Sequence, residues 1–357
     1  MKNDIENKRK NGNRYCKICG EKLYKNGHDR YGKQRWICKG CIKTMRLKDD
    51  RQEKIKLVRT CLEWILTKLS AKNIEKFYGI SRSTFYRKKK QFFKILPELA
   101  STGEVYDCVL VDGTHVKNVA FLIAKTPEFV ISSVWSEGET VEAYEVLLGT
   151  FPEPRVIVCD GGQAIDRAIN KTYEKTRIQR CFVHLLRYVR TRVSINPKTP
   201  GRRCILKLTK QLFNVKTKEE AEKWNQDFDR LYNHYKKQIN AFHKSDNPNI
   251  KKKYWDDRQL HYSWNHIKYA KDKSYLWTFL DFPKGKIPRN TNSLEGGVNS
   301  NLKQLNFCHR GMRADEERIM FGWDLVRKSE FGLDDFLNNI KIKKTPQGQP
   351  FTITIDT

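Results

Sequence analysis

The spacing of apolar residues changes near residue 100. Between residues 51 and 96 they recur every three or four positions, as on one face of a helix. From residue 105 they come in short β-prone runs that end at polar or glycine-containing turns, which is typical of strands. Pro97 and the small polar residues that follow it separate the two patterns. We therefore predict a helical segment joined to an α/β domain.

The order of apolar runs after residue 105 predicts the topology of this domain. The pattern is βββαβαβ, which describes a mixed sheet with helices on its faces. The predicted strands are 105–112, 120–124, 129–135, 155–160 and 178–183, and the predicted helices are 140–148 and 163–173. Helical spacing returns over residues 200–280, together with many lysines and aromatic residues. Most of these aromatic residues are expected to pack between helices, although segments 251–255 and 261–266 would also suit stacking on bases.

Residues 70–90 have the pattern of a helix-turn-helix. Gly79 and Ile80 form the predicted turn, and Ser81 or Ser83 is the expected cap of the second helix. Four residues of that second helix would face a DNA major groove: Arg82, Thr84, Arg87 and Lys88. The alternative is an ordinary pair of helices with a solvated basic face.

Two CxxC pairs precede these helices. The cysteines are Cys16, Cys19, Cys38 and Cys41. Two such turns, with a short hairpin between them, predict a zinc ribbon in which four thiolates hold one structural Zn²⁺. The alternatives are four unrelated thiols, or a redox role for one pair.

The charge of the chain points to a polyanionic partner. There are 70 Lys and Arg against 41 Asp and Glu, a net charge of +29. Residues 1–100 contain 28 of the basic residues and 10 of the acidic ones, so +18 of the excess lies there. This distribution favours a nucleic-acid-binding module attached to a more balanced domain, and it disfavours most enzymes of small metabolites.

The same sequence argues against secretion and membrane insertion. The first ten residues are polar, and no run of about 18 apolar residues occurs. Six further cysteines are scattered along a chain long enough to fold without disulfides, so we expect them to be reduced. The predicted location is the cytoplasm, in association with the nucleoid.

Two aspartates follow apolar runs. Asp112 and Asp160 each end a predicted strand and precede glycine. If these strands are neighbours, the two carboxylates converge at one edge of the sheet, where they would suit Mg²⁺. Taken singly, each is equally well explained as a polar residue in a turn.

A third acid is provided by residues 290–303. Asn292 or Ser293 is the expected cap of a helix, which places Glu295 in its first turn and Asn299 on the same face. The alternative is a glutamate that only complements the helix dipole.

Four motifs occur in a fixed order: VDGTH, CDGGQAI, CFVHLLRYV and RNTNSLEGGVNSNLK. Together they resemble the DDE transposases of bacterial Mutator-type insertion sequences, over about residues 100–330. The resemblance implies a catalytic triad of Asp112, Asp160 and Glu295, and a Cys-x2-His signature at Cys181 and His184. It also implies an RNase H-like fold with an α-helical insertion, and the zinc ribbon and helix-turn-helix occur in such transposases as well.

The distances along the chain between the candidate acids fit this organisation. Asp160 and Glu295 lie 135 residues apart, too far for a bare core of this fold, so an insertion is required. The expected domains are 1–48 (zinc ribbon), 49–98 (helix-turn-helix), 105–199 (first part of the core), 200–285 (α-helical insertion), 286–335 (last core helices) and 336–357 (tail).

The activity expected from the resemblance is DNA transposition by two-metal phosphoryl transfer. Asp112 would bridge two Mg²⁺ ions, for which Mn²⁺ can substitute, with Asp160 and Glu295 each anchoring one. The enzyme would bind the terminal repeats of its element in double-stranded DNA, cleave the ends, and join each 3′-OH to target DNA. Synapsis of two ends implies a homodimer or a higher oligomer.

Two other functions and several roles stay open. A sequence-specific repressor with a silent catalytic fold would use the same DNA-binding modules, and an RNase H-like nuclease would cleave without strand transfer. Cys181 and His184 would serve as a metal pair, a catalytic base or, as we favour, a structural or DNA-positioning pair. Further candidate phosphate contacts surround Glu295: Arg289, Asn290, Asn292 and Asn299.

Overall fold

The structure is a computed structural model of the chain. It describes residues 14–16, 18–30, 32, 34–45, 50–67, 71–97, 99, 103–116, 119–244, 253–330, 332, 340–342 and 351–355. Residues 1–13 and 46–48 of the predicted zinc ribbon, Lys251 and Lys252, and most of the predicted tail lie outside the described residues. The chain divides into two compact units, Met1–Glu63 and Trp64–Thr357.

A small antiparallel sheet forms the first unit. Its strands are β1 (Leu23–His28), β2 (Gln34–Cys38) and β3 (Thr44–Met45). Leu23 is buried with two of the cysteines, and Trp36 and Met45 pack against them. Helix α1 (Asp50–Thr67) follows and continues into the second unit.

The two helices predicted for residues 70–90 are present. They are α2 (Ala71–Tyr78) and α3 (Arg82–Phe92), and the short strand β4 (Ile95–Pro97) follows. Gly79 makes the turn with a φ of +61°, a conformation that favours glycine. The hydroxyl of Ser81 accepts a hydrogen bond from the backbone N–H of Thr84 at 3.4 Å, so Ser81 is the cap. Phe85 is fully buried on the inner side of α3.

A five-stranded mixed sheet is the centre of the second unit. The strands are β5 (Cys108–Val116), β6 (Val119–Lys125), β7 (Val130–Ser136), β8 (Val156–Cys159) and β9 (Arg177–Arg180). Their order is β7-β6-β5-β8-β9. The first three strands form an antiparallel meander, and β8 and β9 run parallel to β5. With helices α4 (Val141–Leu148) and α5 (Gln163–Thr172), this confirms the predicted βββαβαβ order.

Two predicted strand boundaries were wrong. Strand β5 does not end at Asp112 but continues to Val116, because β6 pairs with it over residues 110–116. Strand β9 ends at Arg180, and helix α6 (Phe182–Val193) begins where we predicted the end of the strand. In each case, apolar residues alone do not reveal where pairing stops.

Helices build a second core after the sheet. Helix α6 packs with α7 (Pro200–Gln211), α8 (Lys218–Ile239) and α9 (Arg258–Asp272) around Trp224, Phe228 and Trp264. The hairpin of β10 (Phe242–Lys244) and β11 (Lys253–Trp255) joins α8 to α9. These three aromatic residues are buried, as the packing interpretation predicts.

The remaining elements complete the second unit. A π-helix (Ser293–Asn299) continues as α10 (Ser300–Cys308), and α11 (Ala314–Arg327) follows. Strand β13 (Phe351–Ile355) lies between β4 and β12 (Ile340–Ile342). Short 3₁₀ turns lie at Leu212–Asn214 and Thr278–Asp281. Among the described helices, none has the length and apolar character needed to cross a membrane.

Candidate active site

The sheet brings Asp112 and Asp160 together. Parallel pairing between β5 and β8 ends at Leu110 and Val158, two residues before each aspartate. Asp112 therefore lies on β5 level with the end of β8, and Asp160 directly follows β8. The carboxyl ends of neighbouring parallel strands meet at one edge of a sheet, which accounts for the convergence.

The pKa of Asp112 depends on its burial and on the charges of the other acids. The pKa of Asp112 is raised to about 7, mainly by burial and also by the charges of Asp160 and Glu295, while His184 acts to lower it. The three predicted acids thus share one electrostatic neighbourhood. Their oxygens do not all approach within 4.8 Å of one another, as far as the described residues go.

Asn299 fixes the orientation of Asp112. Its amide donates to Asp112 Oδ2 at 2.8 Å, and the residue is buried. Its other side-chain atom, Oδ1, is buried without a hydrogen-bond partner among the described residues. Asn299 therefore contacts the candidate catalytic group and is turned away from solvent; its predicted phosphate contact stays untested.

The segment that carries Glu295 is wound as a π-helix. We expected Asn292 or Ser293 to cap it; Asn292 does lie at the N-cap position, but its side chain makes no capping hydrogen bond. The carbonyl of Thr291 instead accepts from the backbone N–H of Glu295 at 2.9 Å. The Ser293 hydroxyl accepts from the buried ammonium of Lys125 at 3.2 Å, which ties the segment to β6.

Glu295 already has three polar neighbours. Arg187 donates to Oε2 at 2.9 Å, the Thr291 hydroxyl donates to Oε1 at 3.0 Å, and His184 lies 3.5 Å from Oε1. Burial acts to raise the pKa of Glu295, but Arg187 and His184 outweigh it, so the pKa falls below the ordinary value. Glu295 is therefore held as a carboxylate.

Cys181 and His184 lie against Glu295. One ligand atom from each of these three residues lies within 4.8 Å of the others, so the group has enough donors to hold a metal ion. From the sequence we considered a metal site of only Cys181 and His184, because nothing in the local sequence indicates that Glu295 joins them. Cys181 is fully buried, and Thr291 donates to its sulfur through N–H and hydroxyl at 3.4 Å each.

The pKa values of Cys181 and His184 are shifted in opposite directions. Burial acts to raise the pKa of Cys181, but hydrogen bonds from His184 and Thr291 lower it. Burial likewise acts to lower the pKa of His184, but the bond with Cys181 outweighs it and raises the pKa to about 9. A cationic imidazole beside Glu295 and Asp112 supports a positioning role for this pair.

Glu139 is a fourth acid that sequence reasoning missed. It precedes α4, and its charge raises the pKa of Asp112. It accepts from the Tyr144 hydroxyl at 2.8 Å and lies 3.1 Å from His115 Nε2. Its Oε1 lies 2.5 Å from the position that a Cβ at Gly113 would take, so a side chain at Gly113 would displace the Glu139 carboxylate. The glycine after Asp112 was the available signal, since it indicated a close approach without naming the partner.

A buried ion pair supports the Asp160 turn. Gly161 has a φ of +90°, and the guanidinium of Arg180 occupies the space where a side chain at Gly161 would lie. Arg180 donates to both oxygens of Asp166 at 2.9 and 2.6 Å, and both side chains are almost fully buried. The backbone N–H of Gly162 donates to Asp160 Oδ1 at 2.9 Å, which closes the turn.

Replacing Asp166 with asparagine is expected to lower the free energy of unfolding by about 3–5 kcal/mol, because it leaves the charge of Arg180 buried and uncompensated. Urea denaturation measures this loss. Asp281→Asn is the matched control, since its ion pair with Arg177 is exposed and such pairs contribute about 1 kcal/mol at most. Equal losses in the two variants would contradict a structural role for the buried pair.

An aromatic pair lies near the Asp160 turn. The rings of Tyr188 and His266 stack with centroids 3.8 Å apart. The pKa of His266 is lowered to about 4, mainly by burial and also by the charges of Arg180 and Arg192, while Asp160 acts to raise it. The imidazole is therefore neutral at physiological pH.

This shift predicts a loss of stability in acid. Below pH 6.5 the unfolded chain binds a proton at His266 that the folded chain does not bind until about pH 4, so folding loses up to about 3 kcal/mol over that interval. Urea denaturation of His266→Gln at pH 7 and pH 4.5 is expected to show a smaller acid loss than the wild type. Exposed His234→Gln is the control, and a variant with an unchanged acid loss would refute the prediction.

The predicted DNA contacts occupy different environments. Arg82, Arg87 and Asn292 are exposed, and Thr84 and Lys88 are half-buried. Arg289 instead donates to the carbonyls of Phe213 and Val215 at 3.1 and 3.0 Å, so its guanidinium is used within the protein.

The four cysteines of the first unit form one cluster. Their sulfur atoms lie within 4.8 Å of one another, which is the arrangement of a group that can hold a zinc ion. Cys16 and Cys41 are 3.6 Å apart, and Cys19 and Cys38 are 3.3 Å apart. Backbone N–H groups of Cys19 and Ile18 lower the pKa of Cys16 to about 6, which favours the thiolate that zinc requires.

The middle of the chain resembles a known protein family. Residues 152–251 match the family model of the Mutator family of transposases. This stretch contains Asp160, Cys181 and His184, whereas Asp112 and Glu295 lie outside it. No curated protein matches the chain. The stretch that begins just before β8 and ends after α8 is therefore similar to the Mutator family of transposases.

Proposed function

We propose that this chain is a DNA transposase of the DDE type. The convergence of Asp112, Asp160 and Glu295 carries the proposal, since the charges of Asp160 and Glu295, from distant parts of the sequence, both raise the pKa of Asp112. The sheet order, with an antiparallel meander followed by two parallel strands, is what we expect of an RNase H-like core. The similarity of residues 152–251 to Mutator transposases supports the same function.

The proposed substrate is double-stranded DNA. Helix α3 presents Arg82 and Arg87 to solvent, which suits insertion into a major groove. The cysteine cluster suits a structural Zn²⁺ in a ribbon that assists binding. Because two ends of an element must be held together, the active form is proposed to be a homodimer or a higher oligomer.

The acids fit a magnesium site by their chemistry. Asp112, Asp160 and Glu295 supply the carboxylate oxygens that Mg²⁺ prefers, and a cation would offset the repulsion that raises the pKa of Asp112. The orphaned Oδ1 of Asn299 beside Asp112 is a further oxygen. Bound Mg²⁺ would supply activation of the attacking oxygen and charge neutralisation at the leaving oxygen.

The protein's own residues orient these acids. Asn299 holds Oδ2 of Asp112, and the turn at Gly161–Gly162 holds Asp160. Arg187 donates to Glu295. Because guanidinium groups also bind phosphates well, Arg187 could release the carboxylate of Glu295 and bind a DNA phosphate in its place. This exchange would free Glu295 to turn toward Asp112.

The test is incubation of the protein and Mg²⁺ with the DNA that flanks its own gene, followed by mapping of the cut ends. Cleavage that leaves 3′-OH ends, and joining of those ends to a second DNA, are expected. Cleavage without joining would indicate a nuclease. A footprint without cleavage, unchanged by Mg²⁺, would indicate a repressor.

A further inference from the structure

A cavity of about 440 Å³ opens beside the Asp160 turn. Its volume lies within the range of about 300–1,000 Å³ for small-ligand sites. It lies between the β8–α5 segment and helices α6 and α9, and its walls include Gly161, Asn170, Tyr188, Tyr262, Asn265 and His266. Apart from Gly161, which belongs to the turn that holds Asp160, none of these residues has a role in the chemistry proposed above.

The lining combines flat rings with amides. Tyr188 and His266 form a stacked pair, and the ring of Tyr262 lies in the same wall. The amide oxygens of Asn170 and Asn265 offer acceptors, while their NH₂ groups donate to the carbonyls of Asp166 and His261. Neutral His266 has one donor and one acceptor nitrogen. A ligand that matches this wall has a flat ring with hydrogen-bonding groups at its edge. A nucleobase is such a ligand.

Positive charge surrounds the rings. The guanidinium of Arg192 lies 4.2 Å from the ring centre of Tyr188 and 5.5 Å from that of Tyr262. Arg167 is exposed and also lines the cavity. These cations suit a base that is attached to a phosphate backbone.

The cavity also adjoins Asp160. Gly161 follows Asp160 directly, and the charge of Asp160 acts on His266. A base bound here would therefore belong to a nucleotide close to the phosphate that Asp160 serves.

We propose that this cavity binds an unpaired nucleobase of the DNA strand beside the cleaved phosphate. The inference rests on the proposed transposase function. Stacking on the aromatic wall offsets the cost of taking the base out of the duplex, and the captured base fixes the register of the strand at the acids.

The first test measures base binding without cleavage. A single-stranded trinucleotide with 2-aminopurine at its centre is titrated into the full-length protein, and its fluorescence falls when the base stacks on a ring. We expect His266→Ala and Tyr262→Ala to bind about tenfold to a hundredfold more weakly, and exposed His234→Ala to bind like the wild type. Equal quenching by all proteins, or none by the wild type, would overturn the proposal. Quenching of 2-aminopurine deoxyriboside monophosphate but not of the trinucleotide would overturn it in favour of a free-nucleotide site.

The second test uses cleavage of the mapped end duplex. Removing one base at a time beside the cut identifies the position at which a base enters the cavity. At that position, the abasic duplex should be cleaved equally by the wild type and by His266→Ala, whereas the intact duplex should be cleaved more slowly by the variant. Equal rates on an abasic substrate also establish that the variant is folded. A variant that is slowed equally on every duplex would refute base capture.

The two proposals fail in different ways. A wild-type protein that quenches 2-aminopurine but cuts no DNA would refute the transposase function and leave the base site supported. A wild-type protein that cuts DNA with no difference between His266→Ala and His234→Ala would refute the base site alone.

Discussion

Replacing Asp112 with asparagine is expected to abolish Mg²⁺-dependent cleavage while DNA binding survives. Asparagine keeps the shape of the side chain and can still accept the hydrogen bond from Asn299, but it loses the negative charge. Loss of one central metal ligand costs about 4 kcal/mol of transition-state stabilisation, which is about a thousandfold in rate. A gel assay of end cleavage and a separate binding titration measure the two effects.

Asp107→Asn is the matched control. Asp107 lies just before the first residue of β5, where it contacts Lys286 and Arg155, and it has no contact with the other acids. The control should cleave at nearly the wild-type rate. Full cleavage by Asp112→Asn would contradict the catalytic role of Asp112. A loss of DNA binding that accompanies the loss of cleavage would show that the substitution acts through folding.

Removal of zinc is expected to unfold the first unit. Its described core is small, with Leu23 and two cysteines buried, and structural zinc contributes about 10–16 kcal/mol of apparent binding free energy in zinc-finger peptides. The wild type should contain one zinc per chain by elemental analysis. Cys38→Ser should lose it, because Cys38 is fully buried within the cluster.

Limited proteolysis measures the structural consequence. Strands β1 and β2 should become sensitive to protease in Cys38→Ser and after chelation, and DNA affinity should fall. Cys308→Ser, at an exposed cysteine outside the cluster, should keep both zinc and protection. An intact, protease-resistant first unit without metal would contradict the zinc prediction.

Local sequence predicted the elements that repeat a simple pattern. The strands of the central sheet are short runs of Val, Ile and Leu between turns, and the second helix of the helix-turn-helix begins at a serine cap. The convergence of Asp112 and Asp160 followed from the expectation that their strands are neighbours, which they are.

Contacts between distant parts of the chain could not be predicted in this way. Glu139 precedes a helix in a loop without a motif, and only the pairing of β5 with β6 and of β6 with β7 brings that loop to Asp112. The grouping of Glu295 with Cys181 likewise depends on how the π-helix packs against α6, across more than a hundred residues.

The local winding around Glu295 was missed for a different reason. Serine and asparagine before a helix usually indicate a cap, but here the carbonyl of Thr291 takes the hydrogen bonds and Ser293 is bound by Lys125. The helix still begins at Ser293, directly after Asn292, but a lysine on a distant strand binds the hydroxyl that was a candidate for the cap.

The π-helix also makes the length of this segment critical. Glu295 and Asn299 reach different partners, Arg187 and Asp112, from one π-helical stretch of seven residues. Deleting one residue from the Gly296–Gly297 pair would rotate everything after it relative to Glu295 by one residue's share of a helical turn, which is about 100° in an α-helix and less in a π-helix. The pair has open space around it and tolerates many side chains, yet its residue count is constrained. Related sequences should therefore vary in identity at these two positions but not in number.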